Sequence, residues 1–492
     1  MPIEVNRKDY LFQSIILLLV ILLLGLLLAS SRQVLVQGQV AADTTSPAVT
    51  PQGITPSPTP RSFPTPAATP QPSAHISVDP ALLKGKTVHL WHSWSGEAGK
   101  TVDALVKEFN ASNQWGITAQ AAYQGSYDSL SDNITKALQT GKPPEVAVGY
   151  NYQALGWDSP AGTLVDLNDY VSDPTWGLSP DEQKDFYPVF WEHDFADGKR
   201  IGIPAQRSAQ LIYYNQTWAE ELGFTSPPTT PTQFKIQACA AAKANKTDSD
   251  PHNDGTGGWI ISTDYASSLG WMQAFGGEIT RPDGNGYQFN TTEVSNAFKF
   301  LRDLLDSGCA WIPTNPATEE DFASRRGLFA SGTVPGIPIQ ENAFANIDSK
   351  DEWTILPFPS PVGKPVISVY GPSFRLLKST PEGQLASWLF VKWLTSPENQ
   401  ARLAQSDQFL PVRASSLDGL KTLQAKYPQW EKAVGLLDSA RSEPPFHSWM
   451  DVRWAVSDAT TQLFRSYFTI DQVPVLVKLL DQTAKDLHQK RP

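Results

Sequence analysis

The chain has 492 residues, too many for one ordinary core, so two or more lobes are expected. Its net charge of -11 argues against nucleic acid as a partner, because that role needs basic patches. Sixteen tryptophans are an excess that suits a cleft stacking on flat ligand faces as well as a core.

Arg7 and Lys8 precede an apolar run from Ile15 to Ala29, extendable back to Tyr10. Residues 1–31 therefore read as a signal peptide or a single membrane anchor. The basic side stays cytoplasmic, so everything after Ser31 is expected on the extracytoplasmic side, tethered or secreted. Ala29-Ser30-Ser31 and Val40-Ala41-Ala42 offer cleavage sites, and no cysteine stands near the run for a lipoprotein anchor. Residues 32–80 are rich in Thr, Pro, Ser and Ala, without apolar periodicity. Such a segment is expected to be a disordered, extended stalk.

Thr87 to Trp91 reads as a strand, with His92-Ser93-Trp94-Ser95-Gly96 as its loop. Ala98 to Asn110 is an amphipathic helix with Val102, Leu105, Val106 and Phe109 on one face. Ile117 to Tyr123 is a second strand, Tyr127 to Gln139 a second helix and Glu145 to Gly149 a third strand. This alternation predicts a parallel α/β sheet with right-handed crossovers. Ligands sit beyond the carboxyl ends of such strands. That points to Ser93, Trp94 and Ser95 after the first strand, and to Tyr150, Asn151 and Tyr152 after the third. Trp94 can equally roof its own lobe's core, and His92 reads as packing, since no further His or Cys completes a metal set.

The stretch GIPAQRSAQLIYYN, Gly202 to Asn215, runs from a polar segment straight into a β-prone one. A chain crossing between two lobes has this pattern, and Gln206, Arg207 and Ser208 would then face the interlobe cleft. A solvated edge strand fits the same residues. Beyond it, a helix is expected from Thr232 to Ala244, another from Tyr265 and a third from Glu293 to Ser307. The loop from Lys246 to Gly258 lacks the carboxylate a calcium loop needs and reads as a turn. Cys239 and Cys309 fall in one exported lobe, where a disulfide persists, although two inert buried thiols fit too.

GIPAQRSAQLIYYN resembles the hinge-crossing segment of the family 1 extracellular solute-binding proteins, the carbohydrate receptors of ABC importers. LWHSWSG and PPEVAVGYNY resemble the family's first and third strands with their ligand loops. KWLTSPENQARLAQSDQFLPVRAS carries the same order of helix end, Ser-Pro-Glu-x-Gln and Leu-Pro-x-Arg crossover. The resemblance covers roughly residues 86–487.

The resemblance implies a two-lobed α/β periplasmic-binding-protein type II fold. The first lobe would span 86–205 with 364–410, and the second 208–358 with 414–490. It implies a strand lining the cleft before Gln340 and Glu341, edge-like or broken because of Pro335 and Pro338. It points Tyr370 and Gly371 at the ligand and puts Trp449 where maltodextrin-binding members stack a Trp on a sugar. Tyr265 and Trp271 are cleft candidates or core; Arg453 and Trp454 read as packing and Arg413 as a salt bridge.

The implied function is that of a monomeric receptor without catalysis, metal or cofactor. It would bind a sugar or oligosaccharide and hand it to membrane permease subunits. An exported glycan-active enzyme would instead need a carboxylate pair, and a sensory or adhesion module would keep the fold without the transporter.

Overall fold

The computed structural model describes residues 75–158 and 162–491. The apolar run and nearly all of the stalk lie outside the described residues. Among the described residues no helix is long and apolar enough to cross a membrane.

In chain order, the first lobe builds β1 (Thr87–His92), α1 (Gly96–Ser112), β2 (Thr118–Tyr123), α2 (Tyr127–Gln139), β3 (Val146–Gly149) and α3 (Asn151–Asp158). The apolar face read from the sequence is the buried one. Val102, Leu105, Val106 and Phe109 of α1 lie in the core. Ser126 caps α2 by accepting from the Ser129 N–H, which fixes where that helix starts. After three short helices (Asn168–Ser172, Pro180–Lys184 and Pro188–Trp191) and a small antiparallel pair (Phe195–Ala196 with Lys199–Arg200) comes the short strand β4 (Ile203–Pro204).

The second lobe follows with β5 (Ser208–Asn215), α4 (Pro231–Thr247), β6 (Gly257–Ile260), α5 (Tyr265–Ala274), α6 (Thr292–Asp306), β7 (Ala310–Trp311), β8 (Gly327–Thr333), α7 (Ile337–Asn346), β9 (Trp353–Leu356) and β10 (Ile367–Tyr370). The chain then returns with β11 (Ser373–Leu376), α8 (Pro381–Leu394) and α9 (Pro397–Ser406). It ends in the second lobe with β12 (Ala440–Ser442), α10 (Trp449–Leu463) and α11 (Val473–Lys490).

The first sheet has the order β2-β1-β3-β11-β4, parallel except where β11 meets its neighbours. The second has the order β12-β10-β5-β8-β6-β7, with β9 also paired to β5. Every residue of β5 is buried. Its side chains alternate, so Leu211 and Tyr213 serve one hydrophobic cluster while Ile212 and Tyr214 serve another.

Two strands run through the hinge side by side. Ala205 and Gln206 donate their N–H groups to Pro372 O at 3.2 and 3.3 Å. On the other side Leu410 N donates to Arg207 O at 2.8 Å. Gly371 has a φ of +153°, and a Cβ there would stand 2.3 Å from Gln206 O, so only glycine fits. The return crossing is thus Gly371–Pro372. It lies later than the boundary at residue 364 expected from the sequence, because β10 pairs with β5 in the second sheet.

The cleft-lining strand expected before Gln340 is instead helix α7. Thr333 caps the turn Val334–Gly336, and Pro338 sits in the first helical turn, where its missing N–H costs nothing. Prolines that argue against a central strand here start a helix.

Cys239 on α4 and Cys309 before β7 form a disulfide across a separation of 70 residues. In a chain-entropy account, replacing both cysteines by serine is expected to cost about 4 kcal/mol. A fall in the urea midpoint of the double variant, matched by the reduced wild type, checks this.

Candidate functional site

The two lobes touch along a line of aromatic side chains. Tyr150 and Tyr152, just after β3, stack on each other at 5.4 Å and 19°, and Tyr127 of α2 meets Tyr150 edge-on at 5.0 Å. From the other lobe Tyr265 at the start of α5 meets Trp449 at the start of α10, with centroids 6.0 Å apart at 80°. Tyr152 belongs to the first lobe by sequence but packs into the second lobe's hydrophobic cluster. Arg453 of α10 closes the line. It donates through Nη1 to Tyr152 Oη, and its guanidinium lies 4.6 Å from the Tyr152 ring.

Polar groups sit among these rings without partners. Asn151 Oδ1, Ser208 Oγ, Glu443 Oε1 and Trp449 Nε1 are buried and lack a hydrogen bond of good geometry among the described residues, and the same holds for Ser93 Oγ at the end of β1. Buried polar atoms are normally paired, and leaving one unpaired costs about 1–3 kcal/mol. Asn151 is held by its amide, which donates to His193 O at 3.0 Å. His193 Nε2 in turn donates to Glu443 O at 3.2 Å, tying the carboxyl-terminal segment to the first lobe.

Glu443 is the charge centre of this region. Burial pushes its carboxyl up to about 7, against the pull of Trp449, Arg453 and Tyr265. Burial pushes the His193 ring down to about 4, so that imidazole is neutral near pH 7. The Tyr150, Tyr152, Tyr265 and Tyr370 hydroxyls are all pushed up by burial and stay protonated. They are therefore donors as well as acceptors.

Several residues singled out in the sequence have other work. Trp94 is 5 % exposed, meets Phe374 edge-on at 5.8 Å and donates through Nε1 to Gln206 Oε1. It roofs the first lobe and occupies Gln206. Arg207 is locked in a buried network. It donates to Asp194 Oδ2 at 3.2 Å, to Ser373 Oγ at 2.9 Å and to Pro372 O at 2.6 Å. Arg375 Nη2 reaches the other Asp194 oxygen at 2.8 Å. Arg207 thus fastens the hinge instead of facing the cleft.

Trp271 is core, packed on Phe234, Trp259, Phe300 and Phe358 at 5.2 to 5.9 Å. Gln340 donates to Glu319 O and Glu341 accepts from Gln429, both away from the aromatic line. Ser95 is exposed at the start of α1. Gly371 acts through the hinge backbone, and Tyr370 lies opposite Ser208 in the β5–β10 ladder. His92 is packing, as expected: it is 3 % exposed and stacks on Trp94 at 5.5 Å. Arg413 is a buried ion pair with Asp185 at 2.6 Å.

The structure adds Tyr127, Glu443 and Arg453 to the cleft. A glutamate before Pro444 and Pro445 carries no periodic signal, and Arg453 looks like any residue of an amphipathic helix.

A family model for bacterial extracellular solute-binding proteins matches residues 104–434. The chain belongs to this family. It is 23% identical over 352 residues to the sn-glycerol-3-phosphate-binding periplasmic protein UgpB of Escherichia coli K12, covering 68% of this chain and 75% of that one. Among solved structures it is similar to a cyclic alpha-maltosyl-1,6-maltose binding protein from Arthrobacter globiformis, with a TM-score of 0.69 and 20% identity, over 82% of this chain and 99% of the other. The sugar-binding protein MalE from Xanthomonas citri gives a TM-score of 0.70 at 19% identity, over 82% and 98%. The α/β two-domain architecture of this solute-binding protein is that of these neighbours.

Proposed function

We propose that this solute-binding protein is the extracytoplasmic receptor of an ABC importer for a neutral sugar or oligosaccharide. The ligand lies between the lobes, among Tyr150, Tyr152, Tyr265, Tyr370 and Trp449, and is handed to a membrane permease. The observation that carries this reading is the set of buried, unpaired polar atoms between aromatic rings. A sugar offers both halves of what such a site lacks. Its apolar faces stack on rings, and its hydroxyls donate to Asn151, Ser208 and Glu443 and accept from Trp449. The same reading has the amino-terminal apolar run carry the lobes across the membrane, as an anchor or a cleaved signal.

The charges favour a neutral ligand over a phosphorylated one. The cleft's buried acid Glu443 lies with Asp264 near the guanidinium of Arg453, while the nearby Arg207 is already matched by Asp194. A phosphate, as in the ligand named for the Escherichia coli relative, would meet at least as much negative as positive charge.

A thermal-shift screen of the intact protein against mono- and oligosaccharides, with sn-glycerol 3-phosphate alongside, tests this. A sugar at 100 times its dissociation constant is expected to add about 2.7 kcal/mol of stability. The shift should vanish in Trp449→Ala. A shift with the phosphate and none with any sugar overturns the sugar reading.

A further inference from the structure

Gly156 lies inside α3, and its φ is outside the left-handed region, so the backbone does not call for glycine there. Within a helix glycine is a poor choice beside alanine. What calls for it is space. A Cβ at 156 would stand 2.5 Å from Nε2 of His447 and 3.0 Å from Cδ2 and Cε1. His447 belongs to the second lobe, just before α10 begins. Its ring therefore rests against the bare backbone of a helix in the first lobe.

Both sides of this contact are held from behind. On α3, Trp157 is buried, donates through Nε1 to Ser131 Oγ at 3.1 Å, and its ring fills the space where Gly149 would carry a Cβ. On the other side the neighbours of His447 are anchored in the second lobe. Phe446 meets the Tyr287 ring at 5.1 Å, and Ser448 Oγ lies 3.1 Å from Tyr287 Oη and 3.0 Å from His488 Nδ1. The same two elements carry aromatic residues of the cleft. Tyr152 stands one turn before Gly156 on α3, and Trp449 follows His447 by two residues. The spacing at Gly156 and His447 is thus passed straight to the gap between Tyr152 and Trp449.

We propose that Gly156 and His447 are a positioning pair. The imidazole against the bare helix is the stop that sets how closely the two lobes approach, and so the width of the cleft offered to a ligand. This rests on the reading of the cleft as the ligand site. The pair sets the gap and leaves the binding contacts to the residues already described.

Hydrogen exchange and calorimetric titration of the intact protein test this. Gly156→Leu fills the notch with a good helix former. Without ligand, deuterium uptake is expected to rise together across residues 150–157 and 446–453, because each segment loses the facing lobe. It should return to near wild type in Gly156→Leu/His447→Ala. Affinity for the sugar that stabilises the wild type should fall about tenfold in Gly156→Leu. In the double variant it should return to within about threefold of His447→Ala alone. Gly156→Ala places a smaller obstacle at the same point, should give the same pattern with a smaller loss, and carries the test if the leucine variant does not fold. Rescue by His447→Ala is the result that damage confined to α3 does not produce. Unchanged exchange and affinity, or a loss that His447→Ala does not relieve, overturns the pair and leaves the cleft standing. If no sugar binds the wild type, the sugar reading falls, and the exchange result decides the pair by itself.

Discussion

Asp194→Asn is expected to destabilise the protein by about 3–5 kcal/mol, the usual cost of removing one partner from a buried ion pair. Asp194 is fully buried between Arg207 and Arg375, which are 1 % and 0 % exposed. Burial alone would raise its carboxyl. The two guanidinium groups and the neighbouring His193 overcome that and hold it at about 2. The sign follows from linkage. A carboxyl depressed from its ordinary 3.8 to about 2 contributes stability above the upper value and loses it as pH falls through the lower one. Wild type keeps this contribution at every pH above about 4. Asparagine removes it at all of them and leaves two buried cations facing each other.

The effect should reach the hinge. Arg207 lies in the outgoing crossing and donates to Pro372 of the returning one, and Ser373 Oγ donates to Asp194 Oδ2 at 2.6 Å. One carboxylate thus pins both crossings. Urea unfolding of Asp194→Asn should show a lower midpoint, and sugar affinity should fall with it. The exposed pair Glu97–Lys100 is the control, and Glu97→Gln should change neither. A loss in Asp194→Asn below about 1 kcal/mol would mean that the two guanidinium groups find water, and that the network does not hold the hinge.

How much of this was legible in the sequence depends on what carried the signal. Periodicity gave α1 and α2 with their buried faces, because an amphipathic helix must bury one stripe. Strand β5 was legible as a core strand leaving a lobe crossing. The return crossing was misjudged because nothing local in LPFPSPVGKPVISVYG distinguishes pairing with β5 from pairing with β3. Register is a tertiary fact. Helix α7 was misread because its prolines were weighed as strand breakers and not as helix starters. Arg207 was correctly placed at the hinge but given a ligand role. Only the position of Asp194, thirteen residues earlier in sequence, shows where its charge is spent. Trp271 and Trp449 look alike in sequence. The structure separates them by neighbours, since Trp271 sits among apolar rings while Trp449 stands beside a buried carboxyl.

Glu443→Gln should make the protein more stable above pH 7 and remove the pH dependence of ligand binding. Burial raises the carboxyl from its ordinary 4.5 to about 7. A group raised in this way favours the folded state fully below its unfolded value and loses that contribution as pH rises through the folded one. Ionising Glu443 in place therefore costs roughly 3 kcal/mol once the pH is well above 7. Glutamine keeps the shape and carries no charge, so the variant should gain about that much over wild type at pH 8.5 and almost nothing at pH 4.5.

His193 does not confuse the readout, because burial holds it near 4 and it stays neutral across the window. The other groups facing Glu443 are tyrosine hydroxyls and Arg453, which keep their charge near neutrality, and Asp264, whose carboxyl burial also pushes up. Ligand binding should show the opposite slope. A sugar hydroxyl donating to Glu443 stabilises the ionised form, so wild-type affinity should rise between pH 5.5 and 8, by about tenfold at most. In Glu443→Gln the affinity should be flat with pH and weaker than wild type at pH 8. If wild type binds its sugar equally at both ends of that range, Glu443 makes no hydrogen bond to the ligand. The acid would then serve only to repel anions. A phosphorylated sugar tested against its neutral parent separates the two roles, because only repulsion is relieved by glutamine.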